Sequence, residues 1–207
     1  MYQPSVFREQ DRIRVYDLIE AHPFGALIVS GPGGELEISH LPFVLDRDAG
    51  PHGRLRVHVA RANPIWKAAL SGGRVTAVFA GPHGYVSPTW YEHPTKQVPT
   101  WNYAVVHVHG TPKEMDRDDL VKLLDDLVSI NEGEASDAWR AGLLAPALRS
   151  KLLLEIVGLS IEIAKFEGKF KLSQNRSPTD RARVVAALRK RGTPEDVELV
   201  ELMSRRK

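Results

Sequence analysis

Between residues 24 and 110 the chain repeats one pattern, a short apolar or alternating segment followed by glycine or proline. Phe24–Ser30 reads as a buried strand, Gly31–Gly34 as a tight turn, and Glu35–Leu45 as the returning strand. Pro42 marks a bulge or an edge in it. Arg54–Ala60 alternates strictly, with Leu55, Val57 and Val59 one way and Arg54, Arg56 and His58 the other. That spacing predicts a half-buried strand with a polar face. Arg74–Ala80 is the next strand, Gly81–Gly84 reads as a turn, Tyr85–Tyr91 is extended and aromatic, and Trp101–Gly110 is a long strand. About six strands with turns between them predict an antiparallel barrel or sandwich. The strand–helix–strand order of a dinucleotide fold is absent.

Helices flank this block. Asp11 caps a first helix whose broad apolar face carries Ile13, Tyr16, Leu18 and Ile19 and which ends at Pro23. Asn63 and Pro64 open a short one, closed at Gly72-Gly73. Asp116 opens an acidic helix to about Asn131, with Leu120, Leu123, Leu124, Leu127 and Val128 at helical spacing. A further helix follows Pro146, and Leu159–Phe166 returns as a strand. Ser177-Pro-Thr-Asp180 and Thr193-Pro-Glu-Asp196 are capping boxes that open helices over 177–191 and 193–206, joined at Gly192. The expected class is α+β, mainly β. A domain over 1–176 carries a basic helical pair over 177–207, packed on it or appended to it.

Cysteine is absent, which removes disulfides, thiolate zinc sites and cysteine nucleophiles. There is no Gly-x-Ser-x-Gly elbow and no phosphate-binding P-loop. His107 and His109 share a strand face, but a third metal ligand is not evident, so no metal site is expected. The apolar runs, such as Gly25–Val29, fall far short of the roughly 20 residues that cross a bilayer. The N-terminus carries no apolar signal core, so a cytoplasmic protein without a membrane partner is expected.

The formal net charge of +2 hides an asymmetry: residues 165–207 carry 12 Lys and Arg against 6 Asp and Glu. Such a segment is either a solvated helix pair or a surface for an anion, a nucleic acid or an acidic protein partner. In a helix-turn-helix the second helix reads the DNA groove, and here that helix begins with Glu195 and Asp196, which repel phosphate.

Three stretches are more polar than structure requires. In His58–Pro64 a strand ends beside Arg61 and a helix start, a ready anion site or a plain turn with a surface arginine. Between Ser87 and Tyr103 aromatic residues and Asn102 cluster near prolines, suited to a planar ligand or to a core or dimer interface. In Lys169–Arg176, Gln174 and Asn175 can read a ring edge, and Lys171 and Arg176 can meet phosphate. Phosphate donors, planar walls and amide groups on a small β-barrel are the equipment of a flavin mononucleotide (FMN) site.

The same segments carry a resemblance. Met1–Phe7 with Pro23-Phe-Gly25, His58–Pro64, Gly81–Tyr91, Val98–Tyr103 and Lys171–Arg176 occur in an order that resembles the PaiB family of FMN-binding negative transcriptional regulators. The resemblance runs from Met1 to about Leu188. It implies the FMN-binding split barrel shared with pyridoxamine phosphate oxidases and flavin reductases, and a homodimer with the flavin at the subunit interface. It places Arg61 and Asn63 near the phosphate, with Ser39 and His40 lining the same crevice. Trp101, Asn102 and Tyr103 would flank the ring or the dimer seam, and Lys171, Ser173, Gln174 and Asn175 would close the site. Two roles stay open at this point: an FMN-dependent regulator or sensor, and a flavin oxidoreductase acting on a small molecule. His40 and Tyr103 hold transferable protons but serve equally in packing, so no catalytic residue is assigned. Some split barrels bind haem, for which His107 and His109 would be the candidate ligands.

Overall fold

The computed structural model describes residues 1–31, 33–133 and 139–205. In chain order its elements are β1 (Arg8–Glu9), α1 (Arg12–Ala21), β2 (Phe24–Ser30), β3 (Leu36–Pro42), β4 (Val44–Asp46), β5 (Arg54–Ala60) and α2 (Ile65–Gly72). Then come β6 (Val75–Val86), β7 (Thr100–Glu114), α3 (Arg117–Glu132), α4 (Pro146–Leu154), β8 (Ile156–Lys171), α5 (Pro178–Arg191) and α6 (Pro194–Ser204). The strands lie in the order β3-β2-β6-β7-β8-β5-β4, with β1 paired to β8. Every pair with a resolved register is antiparallel. The fold is α+β and mainly β, as the turn-punctuated pattern predicts.

The chain divides into two compact units. One comprises His22–Phe79 and Val108–Phe166. In it β2 and β3 form a hairpin, with Ala26 opposite His40 and Ile28 opposite Ile38. Pro32, within the expected turn, lies outside the described residues, and Gly34 at its end has φ of 87°. Alternation puts Leu27 and Val29 in the core while Phe24, Leu36 and Ile38 stay exposed. The expected strand 35–45 breaks at Phe43, as Pro42 suggested.

The predicted polar face of β5 is not a solvent face. Arg56 is only 8% exposed, because α3 covers it. Leu120 and Leu123 of α3 pack with Val44 and Leu153, and Arg56 Nη2 donates to Asp126 of the same helix at 2.7 Å. The strand expected to end at Gly110 continues to Glu114. A Cβ on Gly110 would collide with the Glu162 carbonyl oxygen, so that glycine serves close strand approach rather than termination.

The other unit comprises Met1–Ala21, Ala80–His107 and Glu167–Lys207. Asp11 caps α1 through Oδ1, which accepts from the Ile13 amide at 2.9 Å. Val15, Tyr16, Leu18 and Ile19 are buried, whereas Ile13, assigned to the apolar face from spacing, is 63% exposed. Its position in the first turn places it off the stripe that Val15 and Ile19 bury.

The Gly81–Gly84 segment is a second correction. It is no turn: β6 runs straight through it to Val86. Neither glycine adopts positive φ. A Cβ on Gly81 would meet Leu18 Cδ1 at 2.7 Å and the Ala104 carbonyl oxygen at 3.2 Å. Glycine is there to let α1 and β7 approach.

Of the two expected capping boxes, the one at Thr193 closes, whereas at Ser177 only the N-cap half forms and Asp180 Oδ1 accepts from the Glu92 amide at 2.8 Å. Ser177 Oγ accepts from the Asp180 amide at 3.1 Å, and Thr193 with Asp196 forms a reciprocal box. Gly192 between the helices takes the left-handed conformation, with φ of 69°. Residue 206, the last of the expected helix 193–206, lies outside the described residues.

Candidate functional site

The second unit holds most of the expected site. Lys171 ends β8, half-buried, and its Nζ donates to Thr100 Oγ1 at 2.7 Å and to the Trp101 carbonyl. Burial pushes the Lys171 ammonium below its ordinary range, and the positive charges of Arg176 and Lys169 push the same way. Three cations therefore converge at the end of one strand. Lys169 lies 5.5 Å from the Tyr103 ring centre and 5.3 Å from that of Tyr2, and Arg176 lies 4.7 Å from that of Tyr91. Arg176 also donates to Gln97.

Beside this cluster, Asn102 is 1% exposed and bonded to Ser173: Nδ2 donates to Ser173 Oγ at 2.9 Å. Its Nδ2 also approaches Met203 Sδ of α6 at 3.6 Å. Ser173 has φ of 61°, the one non-glycine residue at positive φ among those described. That conformation costs on the order of 1–2 kcal/mol and persists because the buried hydrogen bond and the chain turn hold it.

Gln174 behaves differently from the expectation of a ring reader. Its Oε1 accepts from the Leu172 amide at 2.6 Å and its Nε2 donates to the Phe170 carbonyl, so the amide closes the strand end. Asn175 is exposed. Trp101 is 51% exposed, with the His83 ring at 6.1 Å and the Tyr85 ring at 6.0 Å. This is an open aromatic platform adjoining the cations. Sequence reasoning missed His83, Tyr85 and Lys169 as its neighbours; the period-2 spacing of His83 and Tyr85 on one strand face was the available signal, hidden while that segment read as a turn.

The remaining candidates lie in the first unit. Asn63 Oδ1 accepts from the Ile65 amide at 3.0 Å, capping α2, while its Nδ2 donates to Ser39 Oγ at 2.9 Å. Arg61 is exposed, and its Nε and Nη2 donate to the Leu154 and Ile156 carbonyls at 2.6 and 3.0 Å. Two of its five N–H groups are thus committed to the backbone. His40 is exposed and stacks on Phe24, ring centres 6.3 Å apart. The structure joins Ser39 to Asn63 in this unit, and Asn102 to Ser173 and Lys171 to Trp101 in the other.

A sheet of this order, flanked by helices, is the fold of the flavin-binding split-barrel class. Over residues 1–165 the chain matches FMN_bind_2, described as "Putative FMN-binding domain". It belongs to that family and is an FMN-binding protein of the PaiB type, with FMN as its cofactor. It is 30% identical over 203 residues to the "Protease synthase and sporulation protein PAI 2" of Bacillus subtilis, covering 98% of this chain and 96% of that protein. Among solved structures it is similar to the "FAD and Heme binding protein" of Mycobacterium smegmatis, with TM-score 0.61, 17% identity, and 79% and 73% of the two chains covered. The "Flavocytochrome Anf3" of Azotobacter vinelandii gives TM-score 0.61 at 15% identity, covering 79% and 69%. These two likenesses bear on the fold alone. Among the described residues no helix is long and apolar enough to cross a membrane.

The residues fit the cofactor. FMN brings a phosphate and a flat ring edged with hydrogen-bonding groups, and the second unit offers a convergent cation cluster beside an exposed aromatic platform. Bound there, the flavin would supply electron-transfer chemistry. This chain's residues would bind and orient it.

Proposed function

We propose that the protein is an FMN-dependent regulator whose cofactor phosphate is met by Lys171, Lys169 and Arg176, with the ring against Trp101. One observation carries the reading: Lys171 is half-buried and held by Thr100 and the Trp101 carbonyl, and the charges acting on it are the cations Arg176 and Lys169, so an anion placed there offsets both its desolvation and the repulsion. Asn102, Tyr103, Ser173, Gln174 and Asn175 shape that region. Ser39, His40, Arg61 and Asn63 are proposed flavin contacts as well, Arg61 through the N–H groups its backbone bonds leave over.

The proposed assembly is a cytoplasmic homodimer with the flavin at the subunit interface. The exposed apolar face of the β2–β3 hairpin, Phe24, Leu36 and Ile38, supports a second copy as partner. The helical pair 177–207 is proposed as a buttress of domain 1–176. Two of its arginines support this: Arg183 donates to the Trp90 carbonyl at 3.0 Å and Arg191 to the Tyr85 carbonyl at 3.1 Å.

The regulatory part rests on the name of the Bacillus subtilis relative, which ties that protein to protease synthesis and sporulation. With its arginines so engaged and acids opening α6, the pair is proposed to act through a protein partner rather than by reading DNA. A salt-steep gel shift by the FMN-loaded chain, abolished by Lys190→Glu, would overturn that part.

The cofactor site is tested by titrating the flavin-free chain with FMN and with riboflavin, which lacks the phosphate. Wild type is expected to prefer FMN, and Lys171→Met to erase the preference with riboflavin binding little changed. Equal affinity of wild type for both would sink the phosphate assignment.

A further inference from the structure

A cavity of about 560 Å³ lies along α5 in the second unit. That volume is in the range of small-molecule sites. Ala182, Val185 and Ala186 give it an apolar floor, with Ala182 and Ala186 exposed one helical turn apart. Arg176, Arg181 and Arg189 line it as well, and among the described residues of its wall these three carry the only charges.

Two of the three arginines are held in place. Arg176 donates through Nη1 to Gln97, and its guanidinium carbon lies 4.7 Å from the Tyr91 ring centre. Arg181 donates through Nη2 to the Met203 carbonyl. Both side chains are partly buried, whereas Arg189 is exposed. Each of these bonds engages one nitrogen of a guanidinium with five N–H groups, which leaves donors for a ligand. Fixed arginines elsewhere in the chain meet acids: Arg14 pairs with Glu9 at 2.9 Å, Arg56 with Asp46 at 2.7 Å, and Arg191 Nε with Asp196 at 2.7 Å. Among the described residues no carboxylate pairs with Arg176, Arg181 or Arg189. Cations ordered by the fold and lacking a counter-charge form a preorganised receptor for anions.

We infer that this cavity is a second binding site, for a small organic molecule carrying at least two oxyanion groups, carboxylate or phosphate. The number of anionic groups follows from the placement of the cations. Arg181 and Arg189 stand two turns apart on α5, about 12 Å along its axis, and Arg176 precedes the helix, so the charges are spread along the cavity. A carbon body follows from the alanine and valine floor, which offers apolar surface between the guanidinium groups. Arg176 and Gln174 belong to the proposed flavin region as well, but Arg181 and Arg189 do not, so the site does not rest on that assignment.

The test uses the FMN-loaded full chain, titrated by calorimetry at low salt with benzene-1,3,5-tricarboxylate, with pyrophosphate and with benzoate, and the flavin spectrum recorded alongside. One polyanion should bind per chain, at least about tenfold tighter than benzoate, the worth of one added charge-assisted hydrogen bond. Whichever of the tricarboxylate and pyrophosphate binds tighter names the anionic group that the site selects. Arg189→Ala should weaken that polyanion about tenfold and leave the flavin spectrum unchanged. Lys190→Ala removes the same charge from an exposed neighbour outside the cavity wall and should leave the affinity nearly unchanged. Ala186→Glu, at an exposed helical position that accepts glutamate, should abolish binding by setting a carboxylate in the cavity. Absence of saturable binding by both polyanions, benzoate binding as tightly as either, or equal losses in Arg189→Ala and Lys190→Ala would make this a solvated basic face and overturn the site. Release of FMN by the polyanion would place it on the flavin contacts and equally overturn a second site.

Discussion

Arg56 and Asp46 meet side-on across the β4–β5 pair: Nε and Nη2 donate to the two carboxylate oxygens at 2.8 and 2.7 Å. Asp46 also receives Arg54 Nε at 2.8 Å, and Asp126 of α3 receives a second hydrogen bond from Arg56. The Asp46 side chain is 21% exposed and that of Asp126 48%. The two acids therefore carry unequal weight. Asp46→Asn should cost about 2–4 kcal/mol, as for removing one partner of a largely buried pair. Asp126→Asn should cost under about 1 kcal/mol, because solvent screens it. Urea denaturation of both variants checks this, and equal losses would contradict the ranking.

His58 gives a pH signature. Burial holds its folded pKa below the ordinary 6.5, so the unfolded chain takes up this proton first as pH falls. The stability linked to the neutral imidazole is complete above pH 6.5 and is lost on descending from there toward the folded value. The unfolding free energy of wild type should therefore drop more steeply than that of His58→Phe between about pH 7 and about pH 5. Parallel curves for the two would mean that His58 is not held neutral.

How far the sequence revealed this molecule depends on what each signal measures. Capping at Asp11, Asp116, Ser177 and Thr193 is local chemistry, a side-chain oxygen meeting an amide two or three residues on, and all four caps were readable. Glycine was misread where its role is long-range. Gly81 and Gly110 answer to Leu18 and Glu162, neighbours that no window around either residue contains. The β5 polar face failed likewise, because the carboxylate that buries Arg56 from outside the sheet comes from residue 126. Within the candidate site, residue types were legible but bonding was not. Gln174 has the chemistry of a ring reader, and the backbone of Leu172 and Phe170 claims it.

The β2–β3 hairpin makes the proposed homodimer testable. Ile38 is 53% exposed and sits opposite Ile28, next to exposed Leu36. An apolar face of this kind at the end strand of a sheet invites pairing with a copy. Ile38→Lys should leave the melting temperature of the monomer nearly unchanged, since an exposed side chain contributes little to its own fold. Light scattering at micromolar concentration should then show monomer where wild type shows dimer. A dimer that survives Ile38→Lys places the interface elsewhere.

Asp196 offers the strongest test of the helical pair. It is 1% exposed, accepts from Arg191 Nε at 2.7 Å, and closes the capping box through the Thr193 amide at 3.2 Å. The Arg191 guanidinium holds its carboxyl below the ordinary 3.8, and Arg191 in turn donates to the Tyr85 carbonyl of β6. Asp196→Ala removes the carboxylate half of the capping box, leaving the Thr193 cap, and strands Arg191 beside a buried void. A total loss of about 2–4 kcal/mol is expected. Because the native carboxylate is favoured over the unfolded one, this contribution is present above about pH 4 and vanishes as acid protonates the folded form. Wild type and Asp196→Ala should therefore converge in stability at low pH. The same variant should retain less FMN after desalting, since α6 carries Met203 against Asn102. Full flavin retention in a destabilised Asp196→Ala would show the pair to be an appendage rather than a buttress of the site.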